Sequence, residues 1–355
     1  MRVAVVFGGR SAEHEISLGS ARFVVDSIES AGYEVLPVGI RPDGVWVVPS
    51  DLERVLAEGL EAVSSPAVTL SPDPARSGLI SESGEITPVD FVFPVIHGTF
   101  GEDGTIQGLF EMAGVPYAGS GVLGSALGMD KELSKAAFAA SGLPQVEYLA
   151  LRAAGDDLPR TVGQVEAALR YPVIVKPANL GSSVGMSKAH DHESLLEALE
   201  LAFRYDRKVV VERLADIRNL EVALLGNERP EASVVGEVST EKGWLDFEAK
   251  YADGGSTVHI PADLDLGTSD RARQLAIEAY QAIDCAGLAR CDILLENVTG
   301  RLYVSEMNTL PGMSEHSTFP LLWQASGVAA RELFDRIICH GLERHQKRQA
   351  LLTSR

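Results

Sequence analysis

The first 120 residues alternate short apolar runs with segments of helical spacing. Residues 3–7, 34–40 and 90–96 are rich in Val, Ile and Phe, and each predicts a buried strand. Between the first two runs, apolar positions from Leu18 to Ile28 recur every three or four residues and predict a helix. This order predicts an open parallel α/β sheet, which binds ligands at the carboxyl ends of its strands.

The pattern changes twice further along the chain. Residues 62–88 are rich in Ser and Pro and predict a loop-rich insertion. Beyond them the periodicity predicts a second unit and a third unit, both of mixed helices and strands. The predicted elements are a helix at 129–141, strands at 172–176 and 208–213, strands at 221–225 and 233–238, a helix at 270–286, a hairpin at 291–308 and a helix at 329–344.

Composition narrows the class of protein. A chain of 355 residues exceeds one ordinary core and predicts two or three domains. The net charge of −19 argues against a nucleic-acid surface, which needs an excess of Lys and Arg. The sequence has no apolar stretch long enough for a membrane span, and its three cysteines show no metal spacing. We therefore expect a cytoplasmic protein with reduced thiols.

The hairpin of the third unit carries three oxygen-bearing side chains. Arg290 and Asp292 share one face of its first strand, and we expect Val304, Glu306 and Asn308 to share a face of the second. If the turn has an odd number of residues, the two carboxylates lie opposite each other and repel. A hard cation between them would reverse that repulsion, and Mg²⁺ prefers oxygen ligands. The alternative is an exposed hairpin whose charges are hydrated.

A glycine- and serine-rich loop, residues 176–186, directly follows a predicted strand. Lys176 supplies a charge, while Gly181 and Gly185 let backbone N–H groups approach an anion such as a triphosphate. The loop is not a Walker A motif, and a plain turn remains the alternative. The segment 119–124 matches G-x-G-x-x-G but lacks the preceding buried strand, so we do not expect a nicotinamide site there.

Three further segments carry polar side chains that fit a catalytic site. His97 follows a parallel strand, and Glu13 lies in the first strand-to-helix loop of the same sheet. Either residue could instead serve an ordinary loop or helix end. Residues 240–259 are polar and end in glycines, as an active-site lid does, with Lys250 and Tyr251 as its candidates. A mobile surface loop is the alternative there.

Seven motifs in this order resemble the D-alanine–D-alanine ligase family. They are FGGRSAEHEIS (7–17), HGTFGEDGTIQG (97–108), GMDK (128–131), VKP (175–177), GSSVGM (181–186), EAKY (248–251) and MNTLPG (307–312). The resemblance implies the ATP-grasp fold, with a Rossmann-like substrate-binding domain at 1–125, a central α+β lobe at 126–214 and a C-terminal α+β catalytic domain at 215–355.

The same resemblance implies the residues that hold ATP and metal. It leaves open whether a monovalent cation is also required. The implied residues are Lys131, Lys176, Ser183 and Lys250 at the phosphates, Glu212 and Leu214 at adenine, Glu221 at the ribose, and Asp292, Glu306 and Asn308 at two Mg²⁺ or Mn²⁺ ions.

For the amino acids, the resemblance implies phosphorylation of one D-alanine and attack on it by the amine of a second. Tyr251 favours a dipeptide over a depsipeptide product. Thr318 departs from the large apolar residue usual in the family. The implied residues are Glu13, Ser182 and Tyr251 in a network that closes the lid, His97 at the first carboxylate, Arg290 and the Gly312 N–H at the oxyanion, and Ser317 with Thr318 at the second substrate.

The implied setting is peptidoglycan synthesis by a cytoplasmic homodimer without nucleic-acid or membrane partners. One alternative is a ligase that makes D-alanyl-D-lactate or D-alanyl-D-serine. Two rivals from other classes are a dehydrogenase that uses residues 119–124 and a non-catalytic amino-acid sensor that keeps the fold.

Overall fold

A computed structural model of the chain describes residues 1–152, 158–181, 183–214, 216–239 and 257–352. In these ranges the strands form sheets of seven, four and five strands, which follow one another along the chain. We call them the N-terminal, central and C-terminal sheets. None of the helices in the same ranges is long and apolar enough to cross a membrane.

The N-terminal sheet combines a parallel centre with an antiparallel extension. Its elements are β1 (Arg2–Gly8), α1 (His14–Ser30), β2 (Glu34–Ile40), β3 (Trp46–Val47), α2 (Leu52–Glu58), β4 (Ala67–Leu70), a 3₁₀ turn (Pro74–Arg76), β5 (Leu79–Ser81), β6 (Ile86–Thr87), β7 (Phe91–Pro94), α3 (Thr105–Ala113) and α4 (Val122–Met129). As predicted, β1 pairs in parallel with β2 and β7, because its continuous apolar run is buried on both faces.

The insertion predicted at residues 62–88 is not only loop. Strands β4, β5 and β6 lie within it and pair antiparallel, extending the sheet beyond β3. Leu70 and Leu79 are 4% and 2% exposed, so even these short strands bury apolar side chains in the core. The prediction of a loop-rich insertion is therefore wrong, because short antiparallel strands extend the parallel sheet on this edge.

The central sheet is antiparallel and has the order β10-β9-β11-β8. Its elements are α5 (Lys131–Ala140), β8 (Tyr148–Arg152), α6 (Leu158–Ala168), β9 (Val173–Pro177), β10 (Ser187–Ala189), α7 (His192–Tyr205) and β11 (Lys208–Arg213). The two strands predicted from sequence, β9 and β11, lie side by side at its centre.

The C-terminal sheet is also antiparallel, with the order β14-β13-β12-β15-β16. Its elements are β12 (Ile217–Gly226), β13 (Glu231–Ser239), β14 (Thr257–His259), α8 (Leu266–Ala282), β15 (Gly287–Glu296), β16 (Leu302–Asn308), α9 (Thr318–Ala325) and α10 (Ala330–Gln349).

The helix α10 joins the first and third sheets. Its Phe334 is fully buried, with ring centroids 5.9 Å from Phe23 and 5.4 Å from Phe93 of the N-terminal unit. Burial of each such ring contributes roughly 1.5–3 kcal/mol. Val175 and Leu199 belong instead to a separate core of the central unit. The N-terminal and C-terminal units therefore share a core, and the central sheet packs with α6 and α7 in a core of its own, whereas α5 packs on the C-terminal sheet.

Candidate active site

Two cavities lie side by side where the three sheets meet. One of ≈ 300 Å³ lies between the central and C-terminal sheets, and one of ≈ 490 Å³ reaches the N-terminal sheet. Gly181, Glu221 and Glu306 line both. The predicted residues on the first cavity are Lys131, Lys176, Ser183, Glu212, Leu214, Glu221, Asp292 and Glu306. Those on the second are Glu13, His97, Glu221, Arg290, Glu306, Asn308, Gly312, Ser317 and Thr318.

Every site residue predicted from sequence that lies in the described part of the chain therefore lines one of these cavities. Ser182, Lys250 and Tyr251 lie outside the described residues, as does most of the predicted lid at 240–259. Their predicted roles stay predictions.

Asp292 and Glu306 are direct partners across the ladder between β15 and β16. The pairing depends on a β-bulge, because Ile293 pairs with Val304 and one residue is skipped before Asp292 pairs with Glu306. The bulge reverses the alternation of the strand. Val304 consequently packs fully buried in the core, whereas Glu306 and Asn308 face the cavities. The prediction that Val304 shares their face is wrong.

The charges around Asp292 are crowded. Arg290 donates from Nε to Asp292 Oδ1 at 2.6 Å and from Nη2 to Oδ2 at 2.7 Å, and its Nε lies 3.4 Å from Glu221 Oε2. Burial raises the pKa of Asp292 to about 6; the charge of Arg290 opposes this shift, and Glu221 and Glu306 add to it. A bound cation would relieve such crowding.

The oxygen donors of Asp292, Glu306 and Asn308 are the kind that Mg²⁺ takes. No cluster of three His, Cys, Asp or Glu side chains suited to a metal occurs among the described residues. The predicted set has only two carboxylates and an amide. It fits Mg²⁺ because that ion keeps water and phosphate oxygens among its ligands.

A buried triad lies beside this set. Glu212 is 2% exposed, and its carboxylate lies 2.7 Å from Lys135 Nζ and 2.8 Å from Lys176 Nζ. Burial by itself would raise the pKa of Glu212, but the two ammonium charges outweigh it and lower that pKa to about 2. Burial would lower the pKa of Lys176, yet Glu212 and Glu306 hold it above its ordinary value. Lys176 therefore stays charged at the first cavity.

Lys131 and the glycine–serine loop complete one wall. Lys131 Nζ donates to Leu180 O at 2.7 Å and lies 3.8 Å from Glu306 Oε2. Ser183 and Gly185 have φ values of 59° and 70°, in the left-handed region. A Cβ at Gly185 would lie 2.7 Å from a tyrosine ring. Left-handed residues in such a loop turn backbone N–H groups towards an anion.

Glu13 and His97 are positioned by one serine. Ser11 Oγ accepts from Glu13 N at 3.0 Å and donates to His97 O at 2.7 Å. The Glu13 carboxylate lies against two glycines. A Cβ added at Gly98 would lie 2.5 Å from Glu13 Oε2, and a Cβ added at Gly181 would lie 3.4 Å from the same atom. Glu13 therefore reaches from the N-terminal unit to the central loop across the second cavity.

The opposite wall of the second cavity contains the N-terminus of α9. Ser317 is the N-cap residue, and its Oγ accepts from Ser314 N at 3.0 Å instead of capping the helix. Thr318 begins the helix, whose first N–H groups and dipole attract an anion. A Cβ at Gly312 would lie 2.9 Å from Ser317 Oγ, so the backbone of Gly312 packs closely against this end.

The glycines of segment 119–124 serve packing. A Cβ at Gly124 would lie 2.5 Å from Asp284 O, and Gly119 lies against Gly287. Close contact between α4 and the turn before β15 accounts for these glycines without a dinucleotide.

Sequence reasoning did not single out Lys135. It is 1% exposed, and its Nζ lies 5.1 Å from the centre of the Tyr148 ring as well as beside Glu212. Its spacing could have identified it as a candidate, because Lys135 follows Lys131 by four residues and so lies on the same face of a helix.

Comparison with known proteins assigns the family. Residues 2–120 match the family model described as D-ala D-ala ligase N-terminus, and residues 137–339 match D-ala D-ala ligase C-terminus. The chain belongs to the D-alanine–D-alanine ligase family. It is 44% identical to the D-alanine–D-alanine ligase of Heliobacterium modesticaldum, over 99% of this chain and 98% of that protein. It is 42% identical to that of Geobacillus thermodenitrificans, over 99% and 98%.

Solved structures of this ligase family have the same fold. The D-alanine–D-alanine ligase from Coxiella burnetii superposes with a TM-score of 0.87 at 32% identity, covering 98% of this chain and 96% of that one. The VanG D-Ala:D-Ser ligase from Enterococcus faecalis superposes with a TM-score of 0.88 at 32% identity, covering 96% and 99%. The predicted ATP-grasp fold is confirmed. Membership of this ligase family implies use of ATP and divalent metal in general.

Proposed function

We propose that this protein joins two molecules of D-alanine into D-alanyl-D-alanine, with conversion of ATP to ADP and phosphate. The observation that carries the proposal is the pair of adjacent cavities that share Glu306. Charged lysines line the first, and groups suited to an amino acid line the second. A phosphate donor in one cavity therefore meets a carboxylate in the other.

ATP lies in the first cavity. Glu212 and Leu214 contact adenine and Glu221 the ribose, while Lys131, Lys176 and Ser183 hold the phosphates. The support is positional, since all six residues line this cavity. Fixed ammonium groups and backbone N–H groups stabilise charge that develops on the transferred phosphate.

The first D-alanine lies beside Glu13 and His97. The Glu13 carboxylate holds its ammonium group, and His97 lies near its carboxylate. A carboxylate oxygen of this D-alanine attacks the γ-phosphorus, the bond to ADP breaks, and an acyl phosphate forms. Close positioning of the two reacting groups contributes a large part of the rate enhancement in such a step.

Asp292, Glu306 and Asn308 would hold two Mg²⁺ or Mn²⁺ ions. When bound, the metal neutralises charge on the phosphate oxygens. The Arg290–Asp292 pair keeps a guanidinium next to these residues.

The second D-alanine binds with its carboxylate at Ser317, Thr318 and the N-terminus of α9. Its amine attacks the acyl carbon, and phosphate leaves as the peptide bond forms. The oxyanion of the tetrahedral intermediate is stabilised by Arg290 and the Gly312 N–H. Tyr251 and Lys250 act from the lid, and Ser182 of the glycine–serine loop joins Tyr251 and Glu13 in the network that closes it. The closed lid excludes water that would hydrolyse the acyl phosphate.

The setting follows the family. The protein acts in the cytoplasm as a homodimer and supplies the dipeptide for peptidoglycan. Its three units divide near residues 125 and 214. Sedimentation analysis that found only monomer at working concentration would remove the dimer from this proposal.

A second candidate is a D-alanine–D-serine ligase, and the observation that favours it is the superposition on the VanG enzyme. D-alanyl-D-lactate formation is the third possibility within the family. Competition between D-alanine, D-serine and D-lactate, read by product mass across pH, separates the three.

The deciding experiment measures phosphate release by the purified protein with ATP and Mg²⁺. D-alanine, L-alanine and no amino acid are compared, and products are identified by mass. Release that depends on D-alanine, with a D-alanyl-D-alanine mass, supports the proposal. Release without stimulation by D-alanine contradicts it.

A further inference from the structure

Lys208 is a buried lysine that lies outside both cavities. It begins β11 and is 5% exposed. Its ammonium group contacts the Asp130 carboxylate and lies 3.3 Å from Glu132 Oε2. Buried lysines are rare unless they are paired. The pairing here connects the central sheet with the helix that begins at Lys131.

Asp130 uses its two carboxylate oxygens differently. Oδ1 accepts from Glu132 N and Leu133 N, both at 3.1 Å, and so caps α5. Oδ2 contacts Lys208. The helix whose first residue is Lys131 is therefore held at its N-cap by Lys208, and the position of that N-cap sets the position of Lys131.

The backbone of Lys208 holds the other phosphate-binding segment. Ala178 N donates to Lys208 O at 3.0 Å, and Lys131 N donates to Ala178 O at 2.9 Å. Ala178 lies two residues after Lys176. One residue thus contacts, through its side chain and its backbone, the chain segments that carry both lysines.

The turn before Lys208 extends this contact. Asp206 Oδ1 accepts from Lys208 N at 3.1 Å, and Oδ2 accepts from Asn179 N at 2.7 Å and Asn179 Nδ2 at 2.9 Å. The next residue, Leu180, accepts at its carbonyl from Lys131 Nζ at 2.7 Å. Residues 206–208 and 178–180 therefore form a continuous support beneath the Lys131 side chain.

We propose that Lys208 is a positioning residue for the ATP phosphates, acting through Asp130 and Ala178 on Lys131 and Lys176. The inference rests on the assignment of those two lysines to ATP in the proposed function. Displacement of a binding group by about 1 Å can cost a hundredfold in rate. A purely structural role would instead lower stability without selecting ATP over D-alanine.

The test is Lys208→Met, which keeps the length of the side chain and removes its charge. We expect kcat/KM for ATP to fall about 10- to 100-fold and the dissociation constant for ATP to rise, while KM for D-alanine changes less than about twofold. Lys208→Arg, which keeps the charge, restores most of the loss. Lys347→Met is the matched control, because Lys347 is half-exposed and pairs with Glu228 on the surface at 2.8 Å.

Coupling to Lys131 sharpens the test. If Lys208 acts through Lys131, Lys208→Met in a Lys131→Met background costs less than it does alone, because residues that share one network are not additive. Additive losses contradict the inference.

Other results also overturn it. One is a folded Lys208→Met protein whose kcat/KM for ATP stays within about threefold of wild type. The other is an equal fall in kcat/KM for ATP and for D-alanine that Lys208→Arg does not restore. If Lys208→Met does not fold, Asp130→Asn replaces it, since Asn is also a good N-cap residue but lacks the charge. A wild-type protein that binds ATP without forming dipeptide refutes the proposed function. The inference about Lys208 is then decided by the dissociation constants for ATP of the wild-type and Lys208→Met proteins.

Discussion

The carboxylates of Asp292 and Glu306 occupy directly opposed positions on adjacent strands, and a bulge in β16 brings them into this register. Like charges directly opposite each other destabilise a strand pair. This unfavourable pair occurs where both side chains face the cavities, which indicates that the two carboxylates have a role in binding.

Glu306→Gln tests this role. We expect phosphate release to fall about 100-fold or more, because the change removes one charged oxygen donor and an anionic neighbour of Lys131. The free energy of unfolding without metal should change by less than about 1 kcal/mol, since the repulsion with Asp292 is also removed. Phosphate-release kinetics and urea unfolding measure the two effects. Near-normal turnover would contradict the metal assignment.

Glu212→Gln should destabilise the protein by about 3–5 kcal/mol at pH 7, because Lys135 and Lys176 would remain buried without their counter-charge. Urea unfolding measures the loss. Glu197→Gln is the control, since Glu197 is an exposed residue of α7 in the same unit. A loss no larger than the control's would show that the triad is not stabilising.

The same triad predicts a dependence on pH. The pKa of Glu212 is lowered to about 2 in the folded protein from an ordinary value of 4.5, so its contribution is complete above pH 4.5 and is lost as pH falls towards 2. The difference in unfolding free energy between wild type and Glu212→Gln should therefore narrow from about pH 5 to about pH 3. A difference that stays constant over this range would refute the shift.

Gly312→Ala should impair the second substrate. The added Cβ would lie 2.9 Å from Ser317 Oγ and displace the hydroxyl at the start of α9. We expect KM for the second D-alanine to rise about tenfold or more, with a smaller effect on ATP. Steady-state kinetics in which D-alanine and ATP are varied in turn measure the effects on their KM values separately.

Gly163→Ala provides the matched control for that variant. Gly163 lies within α6, and no atom of the described residues outside that helix lies within 4 Å of an added Cβ. The change should stabilise the protein by about 0.5–1 kcal/mol and leave the kinetics unaltered. A comparable rise in KM would show that the effect at Gly312 is not local.

Arg290→Lys should lower turnover about 100-fold. Lysine keeps the charge but cannot reproduce the two parallel hydrogen bonds that Arg290 makes to Asp292. Single-turnover measurements of acyl phosphate formation and of dipeptide formation show which step depends on the guanidinium. Retention of both rates would exclude Arg290 from the chemistry.

Local patterns in the sequence predicted most of the elements that build the site. The strand β11 was predicted with its observed ends, and β9 within one residue at each end, because continuous Val-rich runs depend only on near neighbours. The short strands β4 to β6 were not predicted. Their few apolar residues acquire strand structure only by pairing with β3 and with one another.

The sequence by itself determined the family and the candidate site residues, together with their order along the chain. Glycines, carboxylates and lysines at fixed spacing are visible without a fold. Only the tertiary structure decided the bulge that sets Asp292 against Glu306, the pairing of Asp292 with Arg290, and the burial of Lys135 and Lys208. The burial of the lysines depends on contacts between distant segments, such as Lys208 with Asp130, and the bulge depends on how β15 and β16 pair. No local pattern of residue types records either.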